Sequence, residues 1–200
     1  MGRPRSVSDE SILEAARSVF LEQGPSASTQ AIAHRLNLSQ AALFKRFGTK
    51  QELMKAALIP AVVPGFVAEV AAGPDLERPL DQQIRSIARS VVVFFRGMVP
   101  CVMVLKAAGV DFHQILDRFD EPPPVLARRL LSAYFARAMA AGLVRPSDPL
   151  AVASLFLGAF HINSFISHVV DKGMSEDDLF AFSDAVVDVL WHGIAPLEAQ

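Results

Sequence analysis

The sequence predicts an all-α protein, with a small N-terminal helical domain followed by a larger C-terminal one. Ala, Leu, Arg and Glu, which favour helices, fill long stretches between Pro and Gly residues. Apolar residues recur at intervals of three and four, whereas the alternation expected of a half-buried strand is scarce. The chain is 52% hydrophobic, and its mean hydropathy of +0.33 is high for a soluble protein. This apolar excess predicts a large subunit interface, a roomy apolar cavity or a membrane segment.

Two helices are predicted at the start of the chain. Ser8 is a good N-cap for the first helix, acidic residues follow it in the first turn, and Gly24-Pro25 ends the helix. Ser28 or Thr29 then caps a short second helix that runs through Leu36. The apolar stripe of the first helix comprises Ile12, Ala16, Val19 and Phe20.

A tight turn and a third helix complete this first domain. Asn37 occupies the turn because Asn is the non-glycine residue that best tolerates a left-handed backbone. Ser39 caps the third helix and Gly48 stops it. A helix-turn-helix domain has this arrangement, with two helices followed by a three-residue turn and a third helix. We predict such a domain for residues 1–50. The positions predicted to face outward are Gln40, Ala41, Phe44 and Lys45.

Residues 51–200 predict a second helical domain, so that the chain has about nine helices in total. The remaining six predicted helices are, in order, Lys50 to about Val70 with a bend near Pro60 or Pro64, Leu80–Gly97, Pro100–Ala108, Pro123–Gly142, Pro149–Lys172 and Ser175 to about Ile194. The eighth of the nine contains 22 residues, 149–170, without a charged side chain, which is long enough to cross a membrane. Ser154, His161 and His168 form a polar stripe on it, and it lacks an aromatic girdle. We therefore interpret it as a helix in a protein interface and expect no membrane association.

No enzyme activity, cofactor or metal site is predicted. The sequence has no nucleophile elbow, no phosphate-binding glycine loop and no zinc-protease motif. His161 and His168 are separated by about 10.5 Å along one helix, which is too far for one metal ion. The single cysteine, Cys101, stands among apolar neighbours and is interpreted as a small buried hydrophobe rather than a redox sensor. The absence of a signal peptide and of a disulfide framework predicts a cytoplasmic protein.

Charge is distributed unevenly along the chain. Residues 1–50 hold seven Lys/Arg and four Asp/Glu, whereas the other 150 residues hold twelve and seventeen. A basic first domain on an acidic second one indicates that the first domain alone has a polyanionic partner.

The segment Thr29–Leu53 resembles the N-terminal signature of the TetR family of bacterial transcriptional regulators. In it a Thr leads into Ile32-Ala33, and the turn ends in Leu38-Ser39. Leu43-Phe44 and a further aromatic residue follow, and Lys50–Leu53 opens the next helix. The resemblance implies a dimeric repressor that binds a palindromic operator on double-stranded DNA and is released by a mostly apolar small molecule.

The chain departs from the family's pattern at several positions of this segment, which covers about residues 8–55. Leu36-Asn37 replaces the usual Ala-Gly before the turn, Leu38 replaces Val, and Ala41 stands where Gly or Pro is frequent. Phe44 replaces the common Tyr, which leaves only an apolar contact, for example to a thymine methyl group. The implied contacts are Gln30, Gln40, Ala41, Phe44 and Lys45 near the bases, and Thr29, Ser39, Arg46 and Lys50 at phosphates. Arg3 and Arg5 precede the first helix as either a minor-groove arm or a basic tail.

The second domain is predicted to dimerise and to bind the effector. The eighth and ninth predicted helices expose more apolar surface than one small domain needs, and they would form a four-helix bundle between two subunits. That surface comprises Leu155, Phe156, Ala159, Phe160, Ile162, Ile166, Phe182, Val186 and Leu190. The family's effector cavity implies as pocket residues Phe94, Met98, Met103, Phe112, Tyr134, Phe135, Met139, His161 and Phe165. Aromatic and Met side chains at helical spacing suit an ordinary core equally well.

Two other functions remain open on the sequence alone. One is a DNA-bound interaction or architectural protein without an effector pocket, which the absence of a cavity of about 300 Å³ or more would favour. The other is a small-molecule-binding or enzymatic helical protein whose helix-turn-helix no longer holds DNA, which duplex binding without salt dependence would favour.

Overall fold

The computed structural model describes residues 7–59, 65–117, 119–171 and 174–194, and every regular element among them is helical. The helices are α1 (Asp9–Gln23), α2 (Thr29–Arg35), α3 (Gln40–Phe47), α4 (Lys50–Leu58), α5 (Gly65–Ala72), α6 (Leu80–Ala107), α7 (Phe112–Leu116), α8 (Pro123–Ala140), α9 (Pro149–Ile166) and α10 (Glu176–Ile194). A π-helical turn, Ser167–Asp171, follows α9. The all-α class and the N-terminal helix-turn-helix are thereby confirmed. Arg3, Arg5, Pro60, Pro64 and Lys172, which entered the predictions, lie outside the described residues.

One predicted helix boundary is wrong. The sequence predicts separate helices on either side of Pro100, but α6 continues through it as a single helix of 28 residues. A proline within a helix removes one backbone hydrogen bond to the carbonyl four residues earlier. The residues on either side, Val99 and Cys101, are both buried, so side-chain packing stabilises the helix at the point where the backbone ladder is interrupted.

The chain divides into two compact units. The described residues of Met1–Val62 form the first unit together with Pro100–Phe112, and those of Val63–Val99 and His113–Gln200 form the second. The division at residues 50 and 51 in the prediction concerns function and stays a prediction. By compactness, α4 and the C-terminal end of α6 belong with the first unit.

The core of the first unit contains the whole apolar stripe predicted for α1. Ile12, Ala16, Val19 and Phe20 are fully buried. The buried residues from the other helices of this unit are Ile32, Ala33, Leu43, Leu53, Met54, Leu58, Cys101 and Leu105. Cys101 is 1% exposed, and burial raises the pKa of its thiol. Its environment supports the interpretation as a small buried hydrophobe.

Aromatic rings packed edge to face run through the core of the second unit. Tyr134 contacts Phe135, and Phe135 contacts Phe156, with ring centroids 5.8 and 6.2 Å apart. Phe156 contacts Phe160 at 5.1 Å, and Phe160 contacts Phe182 at 6.2 Å. Such pairs add about 0.5–1.5 kcal/mol each beyond the burial of their area. These contacts tie α8, α9 and α10 together.

A buried glutamine holds the loop between α5 and α6. The side chain of Gln83 accepts a hydrogen bond from the amide of Asp75 at 2.8 Å and donates to the carbonyl oxygens of Asp75 and Arg78 at 2.8 and 2.9 Å. The hydroxyl of Tyr134 donates to the same Gln83 oxygen at 3.2 Å. Desolvation raises the pKa of Tyr134 to about 12. The loop is therefore bound to both α6 and α8 through one satisfied polar cluster.

Ion pairs connect α6 with α10. Arg85 binds both Asp184 and Asp188, and the guanidinium of Arg89 donates to Asp184 at 3.0 Å. Arg89 also lies over the ring of Phe180, 5.5 Å from its centroid. Among these contacts the hydrogen bond that Arg85 donates to Asp188 raises the pKa of Arg85 most. The network fixes α10 against α6 within the second unit.

Within the described part of the chain, two helical stretches are long and apolar enough to cross a membrane by length and composition alone. They are Leu80–Ala107 and Pro149–Val170. Core helices of soluble proteins meet the same criterion. Here Val91 and Phe156, one from each stretch, belong to the core of the second unit.

Candidate nucleic-acid interface

Two serine caps and one left-handed residue build the helix-turn-helix. The Ser28 hydroxyl accepts from the amide of Gln30 at 3.2 Å at the start of α2, which settles the cap in favour of Ser28. The Ser39 hydroxyl accepts from the amide of Ala42 at 3.1 Å at the start of α3. Asn37 has a φ of 53°, as its place in the turn predicts. Each cap satisfies an amide that the helix start leaves without a partner.

The third helix has one buried face and one exposed face. Leu43 is fully buried, and Phe47 is half-buried. The exposed residues of the helix include Gln40, Ala41, Lys45 and Arg46. Phe44 was expected to face outward, but it is half-buried. Packing part of the phenyl ring against the protein removes apolar surface from water, which is favourable.

The segment that forms α2, the turn and α3 carries basic residues and no acidic ones. Residues 23–51 contain four Lys/Arg and no Asp or Glu. A shallow open depression of about 520 Å³ lies on α2, lined by Ser28, Gln30, Ala31, His34 and Arg35. Gln30, a predicted base contact, is exposed at its edge, and Lys50, a predicted phosphate contact, is half-buried at the start of α4. This surface can attract a polyanion and offers the amide donors of two helix starts to phosphate oxygens.

Gln40 and Thr29, both predicted DNA contacts, bind each other. The Gln40 side-chain Nε2 donates to the Thr29 hydroxyl at 2.6 Å. Thr29 itself is only 5% exposed. Thr29 was expected to reach a phosphate, but its hydroxyl lies inside the contact between α2 and α3 because Gln40 covers it.

Arginines join the three helices of the domain. The Arg46 guanidinium donates to the carbonyl oxygen of Val7 at 2.6 Å and to Asp9 at 3.2 Å, so this predicted phosphate contact also anchors the start of α1. Arg35 donates to Ser18 at 3.0 Å and to Glu22 at 2.7 Å, and its hydrogen bond lowers the pKa of the Glu22 carboxyl. Sequence patterns miss these contacts because the partners lie 13 to 39 residues apart.

The nine residues predicted to line an effector pocket have different environments. Tyr134 and Phe135 are fully buried members of the aromatic core. The second unit also contains the half-buried Phe94, Met98 and Met139 and the exposed His161 and Phe165. The first unit contains the other two residues, Met103 and Phe112, which are half-buried. The ring of His161 contacts Phe95, with centroids 5.3 Å apart.

Two buried hydroxyls of the second unit also went unpredicted from the sequence. Ser164 on α9 and Ser183 on α10 have no hydrogen-bond partner among the described residues. The described residues contain no cluster of three or more His, Cys, Asp or Glu side chains that could hold a metal ion.

Comparison with known proteins identifies the helix-turn-helix. Residues 12–57 match the family model described as bacterial regulatory proteins, tetR family. Over 84 residues the chain is 34% identical to the HTH-type transcriptional repressor Rv3405c of Mycobacterium tuberculosis. That match covers 40% of this chain and 45% of the relative, so it spans less than half of either protein.

Solved structures extend the likeness to the whole fold. A TetR-family transcriptional regulator from Mesorhizobium loti superimposes with a TM-score of 0.70 at 17% identity, over 94% of this chain and 96% of that one. The SmeT–triclosan complex superimposes with a TM-score of 0.63 at 19% identity, over 94% and 92% of the two chains. At such identities the likeness concerns the fold. The helix-turn-helix of this chain is thus similar to that of the tetR family of bacterial regulatory proteins, and the chain as a whole shares the fold of these solved structures.

Proposed function

We propose that this protein is a transcriptional regulator, a repressor rather than an enzyme, that acts in the cytoplasm by binding a palindromic operator as a homodimer. The observation that carries the proposal is the exposed face of α3, capped by Ser39, basic and free of acidic residues. The fold supplies what DNA reading needs, namely a short rigid helix with polar side chains on its outer face. The repressor name of the mycobacterial relative supports the direction of regulation.

On this proposal, α3 enters the major groove. Gln40, Ala41 and Lys45 face the base edges, Phe44 adds apolar contact, and Gln30 reaches the same groove from α2. Ser39, Arg46 and Lys50 lie where phosphates would pass, with Arg46 shared between DNA and the start of α1. An imperfect palindrome with half-sites about 34 Å apart, or a multiple of that, matches two such heads.

Selection of bound sequences from a pool of random duplexes tests the DNA proposal. We expect a palindrome to be enriched and the affinity to fall steeply with salt. Lys45→Ala weakens operator binding at least tenfold, whereas Lys106→Ala, which removes an exposed lysine outside α2 and α3, leaves it unchanged. Equal effects of the two variants, or a pool that yields no common sequence, would contradict the proposal.

The dimer interface is proposed on the outer faces of α9 and α10. Phe156 and Phe160, which the sequence places in that interface, are buried in the protein's own core instead. Other apolar side chains of the two helices and of the turn after α9 remain exposed: Leu155, Ile162, Ile166, Val169, Val170 and Val189. An exposed apolar surface of this extent is typical of a subunit interface, and pairing two helices from each protomer would bury it.

An apolar or aromatic effector is proposed to bind in the second unit. The half-buried Phe94, Met98 and Met139 offer adaptable apolar contacts, and the unpartnered hydroxyls of Ser164 and Ser183 offer hydrogen bonds. The triclosan complex of SmeT, a protein of the same fold, supports this ligand class. A panel of small aromatic compounds, triclosan included, should contain one that raises the melting temperature and releases the operator.

A DNA-bound architectural protein without an effector is the second candidate. It is favoured by the complete burial of Tyr134 and Phe135, two of the predicted pocket residues, since they fill the space that a ligand would need. Under this alternative no compound of the panel changes either the melting temperature or operator affinity.

A further inference from the structure

We propose that Thr29 is a positioning residue that sets which chemical groups Gln40 presents to a base. This inference rests on the proposed binding of DNA by α3. It assigns Thr29 to sequence discrimination, through Gln40, rather than to phosphate binding.

Both residues stand on fixed backbone. Thr29 is the first residue of α2 and Gln40 the first residue of α3. Each follows a serine whose hydroxyl caps its helix, Ser28 and Ser39 respectively. The 2.6 Å hydrogen bond from Gln40 to Thr29 therefore joins two anchored helix starts. A glutamine side chain on a surface otherwise samples several rotamers, and this bond selects one before any DNA arrives.

The direction of the hydrogen bond decides which donor and acceptor groups of Gln40 stay available to a DNA base. Gln40 donates one Nε2 hydrogen to the Thr29 oxygen. Its second hydrogen and its Oε1 make no other hydrogen bond among the described residues, so one donor and one acceptor stay available. In the major groove adenine offers an acceptor at N7 and a donor at the N6 amino group, which such a pair complements. Had Oε1 accepted from the Thr29 hydroxyl instead, the amide would present chiefly its two Nε2 hydrogens, which suit the two acceptors of guanine.

Burial separates this role from a phosphate contact. Thr29 is 5% exposed, so a phosphate oxygen could reach its hydroxyl only by displacing the side chains that cover it, Gln40 among them. The side chain of Gln40, by contrast, is at the exposed start of α3. The residue that touches DNA is therefore Gln40, and Thr29 acts through it.

The experiment measures base preference at the operator position that Gln40 faces. To find that position, each operator position is substituted in turn with the four base pairs. The position that Gln40 faces is the one where Gln40→Ala loses the base preference of the natural protein. Thr29→Val removes the hydroxyl at nearly constant shape, and Thr29→Ser keeps the hydroxyl. Both are measured in the natural chain and in the Gln40→Ala background, together with salt dependence and circular dichroism.

We expect the natural protein to prefer adenine there by about five- to 150-fold, the range of a good bidentate contact. Thr29→Val should reduce that preference below about threefold, with the salt slope unchanged, and should have no further effect once Gln40 is alanine. Thr29→Ser should restore most of the preference, and it supplies the comparison if the valine variant does not fold.

Three results would overturn the inference. A uniform loss of affinity in Thr29→Val on all four operators, with a shallower salt slope, would make Thr29 a phosphate contact. A preference for guanine would show that the amide is reversed, and an unaltered preference in Thr29→Val and Thr29→Ser would show that Gln40 needs no support. A protein that binds no duplex at all fails earlier, at the proposed function itself.

Discussion

Replacing Leu155 with alanine should separate the proposed dimer. Leu155 is 69% exposed on α9, and Ile162 and Ile166, seven and eleven residues further, share its face at helical spacing. The substitution removes three carbon groups worth about 0.8 kcal/mol each when fully buried. Scaled by the exposed fraction, the loss is about 1.5 kcal/mol per protomer, and about 3 kcal/mol in a symmetric dimer, where the position occurs twice. The dimer dissociation constant should therefore rise about 150-fold.

Leu150→Ala is the matched control for this change. Leu150 is 48% exposed on the same helix, but it is five residues earlier and so points about 140° away from Leu155. Sedimentation velocity over a dilution series gives the two dissociation constants, and circular dichroism confirms that both variants keep their helices. Operator binding should weaken in parallel with dissociation in Leu155→Ala alone. If both variants dimerise like the natural chain, or both dissociate equally, the assignment of the interface to this face is refuted.

Three further predictions concern stability. Tyr134 should ionise only near pH 12, since burial raises its pKa to about 12, and the phenolate absorbance of this sole tyrosine can follow its ionisation. Its contribution to stability is complete below about pH 10, the pKa of an exposed tyrosine, and is lost as the pH rises towards 12. Gly73→Ala should lower the free energy of unfolding, measured in urea, by about 1–2 kcal/mol, because Gly73 has a φ of 94° and an added Cβ would lie 2.7 Å from Cζ of Arg137. The control is Gly65→Ala, where the added Cβ meets nothing within 4 Å. Asn37→Val should cost about 1–2 kcal/mol at a φ of 53°, while Asn37→Gly should not destabilise; equal midpoints for these two variants would contradict the reasoning.

The features predicted correctly depend on few neighbours. Ser8 and Ser39 cap their helices as expected, and Asn37 adopts the left-handed backbone its turn requires. Each of these outcomes depends on hydrogen bonds or sterics within about four residues, which the sequence displays directly.

The features predicted wrongly depend on distant partners. Along α9 both faces are apolar, so periodicity could not tell that Phe156 points into the core while Leu155 points outward. Pro100 likewise does not end α6, and the burial of its neighbours Val99 and Cys101 is not visible in the local sequence. Gln83 gave no local signal, because its role depends on Tyr134, 51 residues away.

Cys101 makes the first unit able to report its own opening. As the sole cysteine, 1% exposed and with a thiol whose pKa burial raises, it is shielded from thiol reagents while the helices around it stay packed. Modification then proceeds only through openings of that packing, and its rate measures how often they occur. Recording this rate with and without the proposed operator DNA would show whether binding changes how often the first unit opens, with a natural residue of the chain as the probe.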